Sequence, residues 1–271
     1  MFNNLTKKVQ ERFLLPKLPK EPLDASSCES LGYKFEYNNG DVFIVDMSTR
    51  EHEVIISTLQ DFFKAPNGGV LTDPPIEVCG QPFHPSPNAN ELRIAPDIAV
   101  YPNETYVPRP SNSGPNYLGP PPSDTQGNAH ARIMCEIAVA QNAHGWKNKC
   151  ALWMNQEYVR CVLGIKLYNL RTTRTNGYFN RSMKAKLWRQ GVATRKWHFG
   201  TVQKGNNLST GCNAPGIPAY QINIPIGDVF YDPPIPAIGY VPLVVRPAII
   251  GGNFTIDLYE VQQRVLKKQP R

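Results

Sequence analysis

The chain has 271 residues, of which 41% are hydrophobic, and this length suits one large domain or one domain with appendages. Its formal net charge of +7 favours an anionic partner, either nucleic acid or an acidic membrane surface. The six cysteines form neither a C-x-x-C pair nor a close cluster, which argues against a cysteine zinc site and favours buried thiols in a reducing compartment.

The sequence has no segment as long as a membrane span, and its N-terminal residues lack the continuous apolar run of a secretion signal. We therefore expect an intracellular protein, cytoplasmic or nuclear, that is not secreted and has no membrane partner.

The first predicted elements are an arm and a hairpin. Residues 1–30 mix charged residues with prolines, which predicts an N-terminal arm. Two alternating apolar runs, 33–37 and 41–45, flank the Asn-Asn-Gly sequence at 38–40, which tolerates a positive φ and predicts a β-hairpin.

A helix is predicted from Ser48, because Ile55, Leu59 and Phe62 share one stripe before the Pro-Asn-Gly-Gly sequence at 66–69 ends it. Hydrophobic patterning predicts the remaining elements. They are strands at 70–71, 76–78, 97–101, 133–139, 162–170, 185–189, 196–202, 222–226 and 228–231, and helices at 146–159 and 256–267.

The order of these elements predicts one α+β domain over residues 31–232. Within it, the Pro- and Gly-rich residues 102–130 are expected to form an exposed insertion. Residues 233–271 are expected to be a proline-rich tail with a short terminal helix, and the strands after residue 160 a β-rich basic extension.

Glu136 is the most informative residue, because it interrupts a run that is otherwise apolar from Ile133 to Val139. A buried carboxylate without a partner costs several kcal/mol or loses its charge, and a bound cation removes that cost. The alternative is a structural salt bridge, for example to Arg132 or Lys149.

Asp97 opens the strand at 98–101, where a carboxylate can face a cleft, although a turn or cap residue is the alternative. Paired with Glu136 on a neighbouring strand, it would suit a hard cation such as Mg²⁺, with Mn²⁺ as a substitute. Lys149, at the start of the following helix, could supply positive charge for phosphoryl chemistry, or it could be an ordinary exposed lysine.

No acidic residue lies between Glu157 and Asp228, whereas eleven lysines and arginines do. Such a stretch suits contact with phosphates, and DNA is the expected partner ahead of RNA; a solvated face is the alternative. Aromatic residues in the same stretch could stack on bases, although Trp188 and Trp197 also suit a core. The predicted nucleic-acid contacts are Lys147, Arg171, Arg174, Arg181, Lys184 and Lys186.

In chain order, several of these stretches resemble the Uma2-type restriction endonuclease family of the PD-(D/E)XK superfamily. The matching stretches are Phe35–Tyr37 with Gly40–Val42, Glu51–Glu53, Pro96–Val100, Glu136–Ile137 with Lys149 and Trp153, and the strand that ends near Tyr168.

The resemblance implies a restriction-endonuclease-like mixed β-sheet flanked by helices. It also implies that Asp97, Glu136 and the Ile137 carbonyl bind the metal, and that a lysine on the following helix takes part in catalysis. His52 and Asp41 would be auxiliary residues; the alternatives are that His52, at a helix start, contacts solvent or caps a turn, and that Asp41 simply follows the turn after Gly40. Members of the superfamily are often homodimers. The sequence departs from the family pattern at Asp41, where relatives show glutamate.

A second departure is Ala138, which stands where the superfamily motif has lysine; the catalytic lysine is therefore either Lys149 or Lys147.

The first hypothesis is a Mg²⁺-dependent endonuclease that hydrolyses phosphodiester bonds in DNA. The second is a catalytically inactive DNA-binding or effector protein on the same fold. A third is a protein-interaction module that uses its proline-rich segments.

Overall fold

The computed structural model describes most of the chain, in ranges separated by short gaps. The described residues are 35–38, 41–44, 49–87, 93–107, 109, 123–139, 141–231 and 249–269. The predicted arm at 1–30 lies outside them, as do 110–122 of the predicted insertion and 233–248 of the predicted tail.

The chain divides after Thr49 into two compact units, and each is described by itself. The first unit contains strands β1 (Phe35–Asn38) and β2 (Asp41–Ile44), which pair antiparallel with Asn38 opposite Asp41. The predicted hairpin is confirmed, with the two residues at 39–40 between its strands.

The second unit contains ten strands and three α-helices among its described residues. Its helices are α1 (Arg50–Lys64), α2 (Ala143–Met154) and α3 (Leu258–Leu266). Its strands are β3 (Ile76–Cys79), β4 (His84–Pro85), β5 (Arg93–Ile94), β6 (Ile98–Pro102), β7 (Ile133–Ala138), β8 (Cys161–Thr175), β9 (Tyr178–Arg189), β10 (Val192–Gly200), β11 (Gln221–Pro225) and β12 (Asn253–Asp257).

Six of these strands form one mixed sheet in the order β10-β9-β8-β7-β6-β3. Strands β7 and β8 are parallel and are connected through α2, whereas the other neighbours are antiparallel. Two small ribbons, β4–β5 and β11–β12, complete the strand pairing. The predicted fold class, a mixed sheet flanked by helices, is confirmed, and the basic stretch after residue 160 supplies the β8–β10 half of that sheet.

Helix α1 covers one face of the sheet. Ile55, Leu59 and Phe63 recur every four residues, are fully buried and pack in the same core cluster as alternate residues of β7. Phe62, predicted on this stripe, is only partly buried. Phe254 of β12 contacts the Phe63 ring edge-on, with ring centroids 5.1 Å apart, so the end of the chain packs on the same face.

Helix α2 covers the opposite face. The Asn142 side chain caps it by accepting hydrogen bonds from the backbone N–H groups of His144 and Gly145, so the helix begins before the predicted residue 146. Trp146 and Trp153 are fully buried against the sheet.

Three further predictions of secondary structure were wrong in their type or bounds. Residues 70–71 form no strand: Leu71 is 91% exposed, and the Asp-Pro-Pro sequence at 73–75 follows at once. Residues 228–231 are not a strand either: Asp228 ends a 3₁₀ turn at Ile226–Asp228, and residues 229–230 form a further turn. The last helix begins at Leu258, since Asp257 ends β12 and caps the helix through the Tyr259 N–H.

None of the helices in the described part of the chain combines the length and the hydrophobicity that crossing a bilayer requires.

Gly164 of β8 permits the close packing of α2. A Cβ atom at this position would lie 2.6 Å from the nearest ring atom of Trp146 and 3.0 Å from the Cys150 sulfur. The indole therefore occupies the space that any other residue would need for its side chain.

We expect Gly164→Ala to lower the free energy of unfolding by about 1–3 kcal/mol, because the added methyl group overpacks a rigid indole. Urea denaturation would measure this loss. The matched control is Gly205→Ala, where nothing lies within 4 Å of the new Cβ. Equal midpoints for the two variants would contradict the close packing of Trp146.

Candidate active site

The side chain of Glu136 is held by helix α2. Glu136 is only 3% exposed, and its Oε1 accepts a 2.6 Å hydrogen bond from the Trp153 indole N–H. Its Oε2 lies 3.0 Å from the Lys149 ammonium nitrogen. The Trp146 indole donates to the Glu136 backbone carbonyl at 3.1 Å, so three side chains on one face of α2 converge on this residue.

Asp97 lies at the start of β6, beside the same end of β7. Its N–H donates to the Cys135 carbonyl at 3.0 Å, and its Oδ2 accepts a 2.7 Å hydrogen bond from the Ile137 N–H. The Nε2 atom of His52, in the first turn of α1, is 3.5 Å from the same oxygen. Asp97 is 4% exposed, so its carboxylate is buried and oriented by backbone and side-chain contacts.

Both carboxylates influence ionisation at the site. Burial raises the pKa of Glu136 to about 7; the positive charge of Lys149 opposes this rise, and the negative charge of Asp97 adds to it. Burial lowers the pKa of His52, but the hydrogen bond and charge of Asp97, together with Glu53, outweigh it and the net shift is upward. The pKa values of Glu136 and His52 are therefore both perturbed by burial and by neighbouring charges, as is common at functional sites.

The structure brings four of the predicted site residues together. Asp97, Glu136, Lys149 and His52 converge from β6, β7, α2 and α1, and the backbone of Ile137 lies against Asp97. The side chain of Asp41 lies outside the described residues. The catalytic and metal-binding roles of all these residues stay predictions.

The donor set determines which cations the site suits. In the described ranges, no group of three His, Cys, Asp or Glu side chains is placed to hold a metal ion. Two carboxylates and a backbone carbonyl suit Mg²⁺ or Mn²⁺, because these cations retain several waters. They do not suit an enclosed zinc site, which needs three or four protein ligands.

A basic surface, here called the lysine face, lies on the α2 side of the sheet. Glu136 is opposite Gly164, Gly164 is opposite Lys186, and Lys186 is opposite Lys196, so these positions share one face. Burial and neighbouring lysines lower the pKa of Lys186 and of Lys184. The lysine face comprises Lys147, Lys184, Lys186, Lys196 and Lys204.

The predicted nucleic-acid contacts included Lys147, Lys184 and Lys186 of this face, whereas Lys196 and Lys204 were counted only within the basic stretch. Strand alternation could have added Lys196, because Lys186 of β9 is opposite Lys196 of β10 and both point to the same side. Lys204 lies beyond the end of β10, where strand alternation gives no signal.

The prediction that Arg181 contacts nucleic acid was wrong. Arg181 is 4% exposed, forms a buried ion pair with Glu51 and donates from Nε to the Tyr168 carbonyl at 2.6 Å. A guanidinium enclosed in this way cannot reach a phosphate. Of the other predicted arginines, Arg171 donates to the Lys204 carbonyl, and Arg174 lies near an exposed turn.

The two tryptophans of the basic stretch belong mainly to the core, as expected from their strand positions beside apolar residues. Trp197 is 6% exposed, and Trp188 packs against Trp146 with ring centroids 6.0 Å apart. Sequence reasoning did not assign Trp146 and Trp153 to Glu136, although their seven-residue spacing, with Lys149 between them, places all three on one helix face.

Comparison with protein-family models finds no match, and comparison with curated proteins also finds none. Among solved structures, the chain is similar to one described as "a putative nuclease belonging to DUF820" from Anabaena variabilis ATCC 29413. The two share 10% sequence identity over 86% of this chain and 91% of the other, with a TM-score of 0.42.

Proposed function

We propose that the protein is a metal-dependent nuclease that hydrolyses phosphodiester bonds in DNA, with Asp97 and Glu136 as ligands of Mg²⁺ or Mn²⁺. The observation that carries this proposal is the buried pair of carboxylates, close enough for the charge of Asp97 to raise the pKa of Glu136. A divalent cation would offset that repulsion. Lys149 and the lysine face lie on the same side of the sheet and suit an anionic substrate.

The chain's own residues would position the reacting groups. The Ile137 N–H and His52 hold the Asp97 carboxylate in one orientation, and Trp153 does the same for Glu136. Lys149 places an ammonium group beside Glu136, where it could hold a phosphate oxygen or orient the attacking water. When bound, the cation would stabilise the negative charge that develops on the phosphate and make the attacking water more acidic.

Nicking of supercoiled plasmid DNA in Mg²⁺, in Mn²⁺ and in EDTA tests the proposal. We expect cleavage only with the cation, and loss of cleavage in Asp97→Asn and in Glu136→Gln, because each removes one charged ligand. Glu157→Gln is the matched control, since Glu157 is exposed just beyond α2. Nicking that persists in both site variants, with circular dichroism unchanged, would overturn the assignment.

A second candidate function is nucleic-acid binding without cleavage. It is favoured by the contacts of Glu136, because Lys149 and Trp153 engage both of its carboxylate oxygens. Salt-sensitive DNA binding together with no nicking in any divalent cation would support this candidate over the first.

A further inference from the structure

Strands β8 and β9 extend beyond their neighbours in the sheet. Strand β7 pairs with β8 only as far as Lys166, and β10 pairs with β9 only as far as Ser182. Past these points the two strands continue as a two-stranded ribbon, here called the β8–β9 ribbon, over residues 170–181. The turn at Asn176 and Gly177 closes it, with φ angles of 52° and 81° that suit a tight hairpin.

The base of the ribbon is fixed to the rest of the second unit. Arg171 donates to the Lys204 carbonyl. Nearer the tip, the Gln269 side chain donates at 3.0 Å to the carbonyl of Phe179, which is opposite Arg174. Arg181, opposite Leu170, forms the buried ion pair with Glu51. The ribbon is therefore held in a defined direction from the sheet.

The tip of the ribbon, residues 172–178, is exposed and polar, with three threonines, an arginine, an asparagine and a tyrosine. The Arg174 guanidinium stacks on the Phe179 ring at 3.8 Å and donates to the Gly177 carbonyl at 3.2 Å. A guanidinium has five N–H donors, and this hydrogen bond uses one of them. No acidic residue in the sequence lies between Glu157 and Asp228 to repel a polyanion.

The dimensions of the tip match one groove of duplex DNA. At roughly 3.3 Å per residue, the four exposed residues 172–175 at the end of β8 span about 13 Å. The major groove of B-form DNA, about 12 Å wide and about 8.5 Å deep, admits a two-stranded ribbon, whereas the minor groove is about 6 Å wide. The deep, narrow major groove of duplex RNA does not admit side chains in this way.

Strand β8 also sets the distance between the ribbon and the carboxylates. Gly164, which is opposite Glu136, and Arg174 lie on the same strand, ten residues apart, which is at most roughly 33 Å in an extended chain; register shifts between Leu167 and Arg174 shorten this distance. One helical turn of DNA is about 34–36 Å. Lys184 and Lys186, on the paired strand β9, lie along this path.

We propose that the β8–β9 ribbon inserts into the major groove of duplex DNA, within about one helical turn of the Asp97 and Glu136 carboxylates. The lysine face contacts the phosphates between these two points. Only the position of the cut rests on the proposed nuclease function, because groove binding requires no cleavage.

Fluorescence anisotropy of a labelled 30-base-pair DNA duplex in EDTA tests the ribbon without cleavage. We expect Arg174→Glu to weaken binding roughly tenfold and to lower the slope of log affinity against log salt by about 1 or more. Thr175→Asp, which adds a negative charge at the tip, should weaken binding similarly. Arg93→Glu on β5 is the matched control and should change affinity less than twofold, because Arg93 is exposed outside the six-stranded sheet.

Groove-specific competitors supply a second readout. Methyl green occupies the major groove and should displace the protein. Distamycin occupies the minor groove and should not displace it. Duplex RNA of the same sequence should bind the protein more weakly than the DNA does. Equal effects of the tip variants and the control, displacement by distamycin alone, or equal affinity for duplex RNA would overturn the inference. Normal DNA binding with no nicking would instead overturn the proposed nuclease function and leave the ribbon in place.

Discussion

Glu51→Ala or Arg181→Ala is expected to lower the free energy of unfolding by about 3–5 kcal/mol, because each removes one partner of a buried ion pair and leaves the other charge without compensation. The side chains of Glu51 and Arg181 are only 10% and 5% exposed. The Arg181 Nε also donates to the Tyr168 carbonyl, so its loss leaves a second group unsatisfied.

Urea denaturation of the single variants and of the double variant would measure the coupling between the two charges. The double variant should lose less than the sum of the single losses, because neither charge is then left alone in the interior. The control is the exposed pair of Asp61 and Arg264, 3.7 Å apart with side chains 64% and 50% exposed, whose loss should cost less than about 1 kcal/mol. Similar losses in the free energy of unfolding for the two pairs would contradict the expectation that burial makes the Glu51–Arg181 pair costly to break.

This ion pair also shows what the sequence could not reveal. Glu51 and Arg181 are 130 residues apart in the chain, and nothing in the local pattern of either distinguishes it from a surface charge. A count of basic residues identifies the stretch from 160 to 204 as cationic. It cannot tell which side chains face solvent, since that depends on how β9 packs between β8 and β10.

Local sequence patterns predicted much more of the secondary structure and of the site than of this long-range ion pair. The hairpin between β1 and β2 follows from the residues of its turn, and the apolar run around Glu136 predicts a buried strand with one anomalous carboxylate. The convergence of Asp97 with Glu136 was expected from their order along the chain and from the family resemblance. The indole contacts of Glu136 were not, because they depend on how closely Gly164 lets α2 approach.

Stability should fall as the pH rises through the range in which Glu136 ionises. The carboxyl group is protonated in the folded and the unfolded chain below pH 4.5, whereas between pH 4.5 and about 7 only the folded chain retains its proton. The stabilisation from proton binding is thus present at low pH and lost by about pH 7. At about 1.4 kcal/mol for each tenfold change in proton affinity, the loss is roughly 3 kcal/mol.

Glu136→Gln should remove this pH dependence, because the amide stays neutral and can still accept the Trp153 hydrogen bond. In EDTA, urea denaturation should show the variant about as stable as the wild type near pH 4.5 and more stable near pH 8, by up to about 3 kcal/mol. Glu157→Gln, at an exposed position, is the control and should follow the wild type throughout. Parallel profiles for Glu136→Gln and the wild type would show that burial does not raise the pKa of this carboxyl.

The same variant separates a metal ligand from a structural salt bridge. If the ionised carboxylate binds Mn²⁺, the cation should raise the wild-type melting temperature more at pH 8 than at pH 6, and should have little effect on Glu136→Gln. If Glu136 serves only to neutralise Lys149, the cation should shift both proteins equally. The first outcome would explain why a destabilising negative charge is kept in the core. The Glu136 carboxylate would lower the free energy of unfolding of the metal-free protein but would bind the cation.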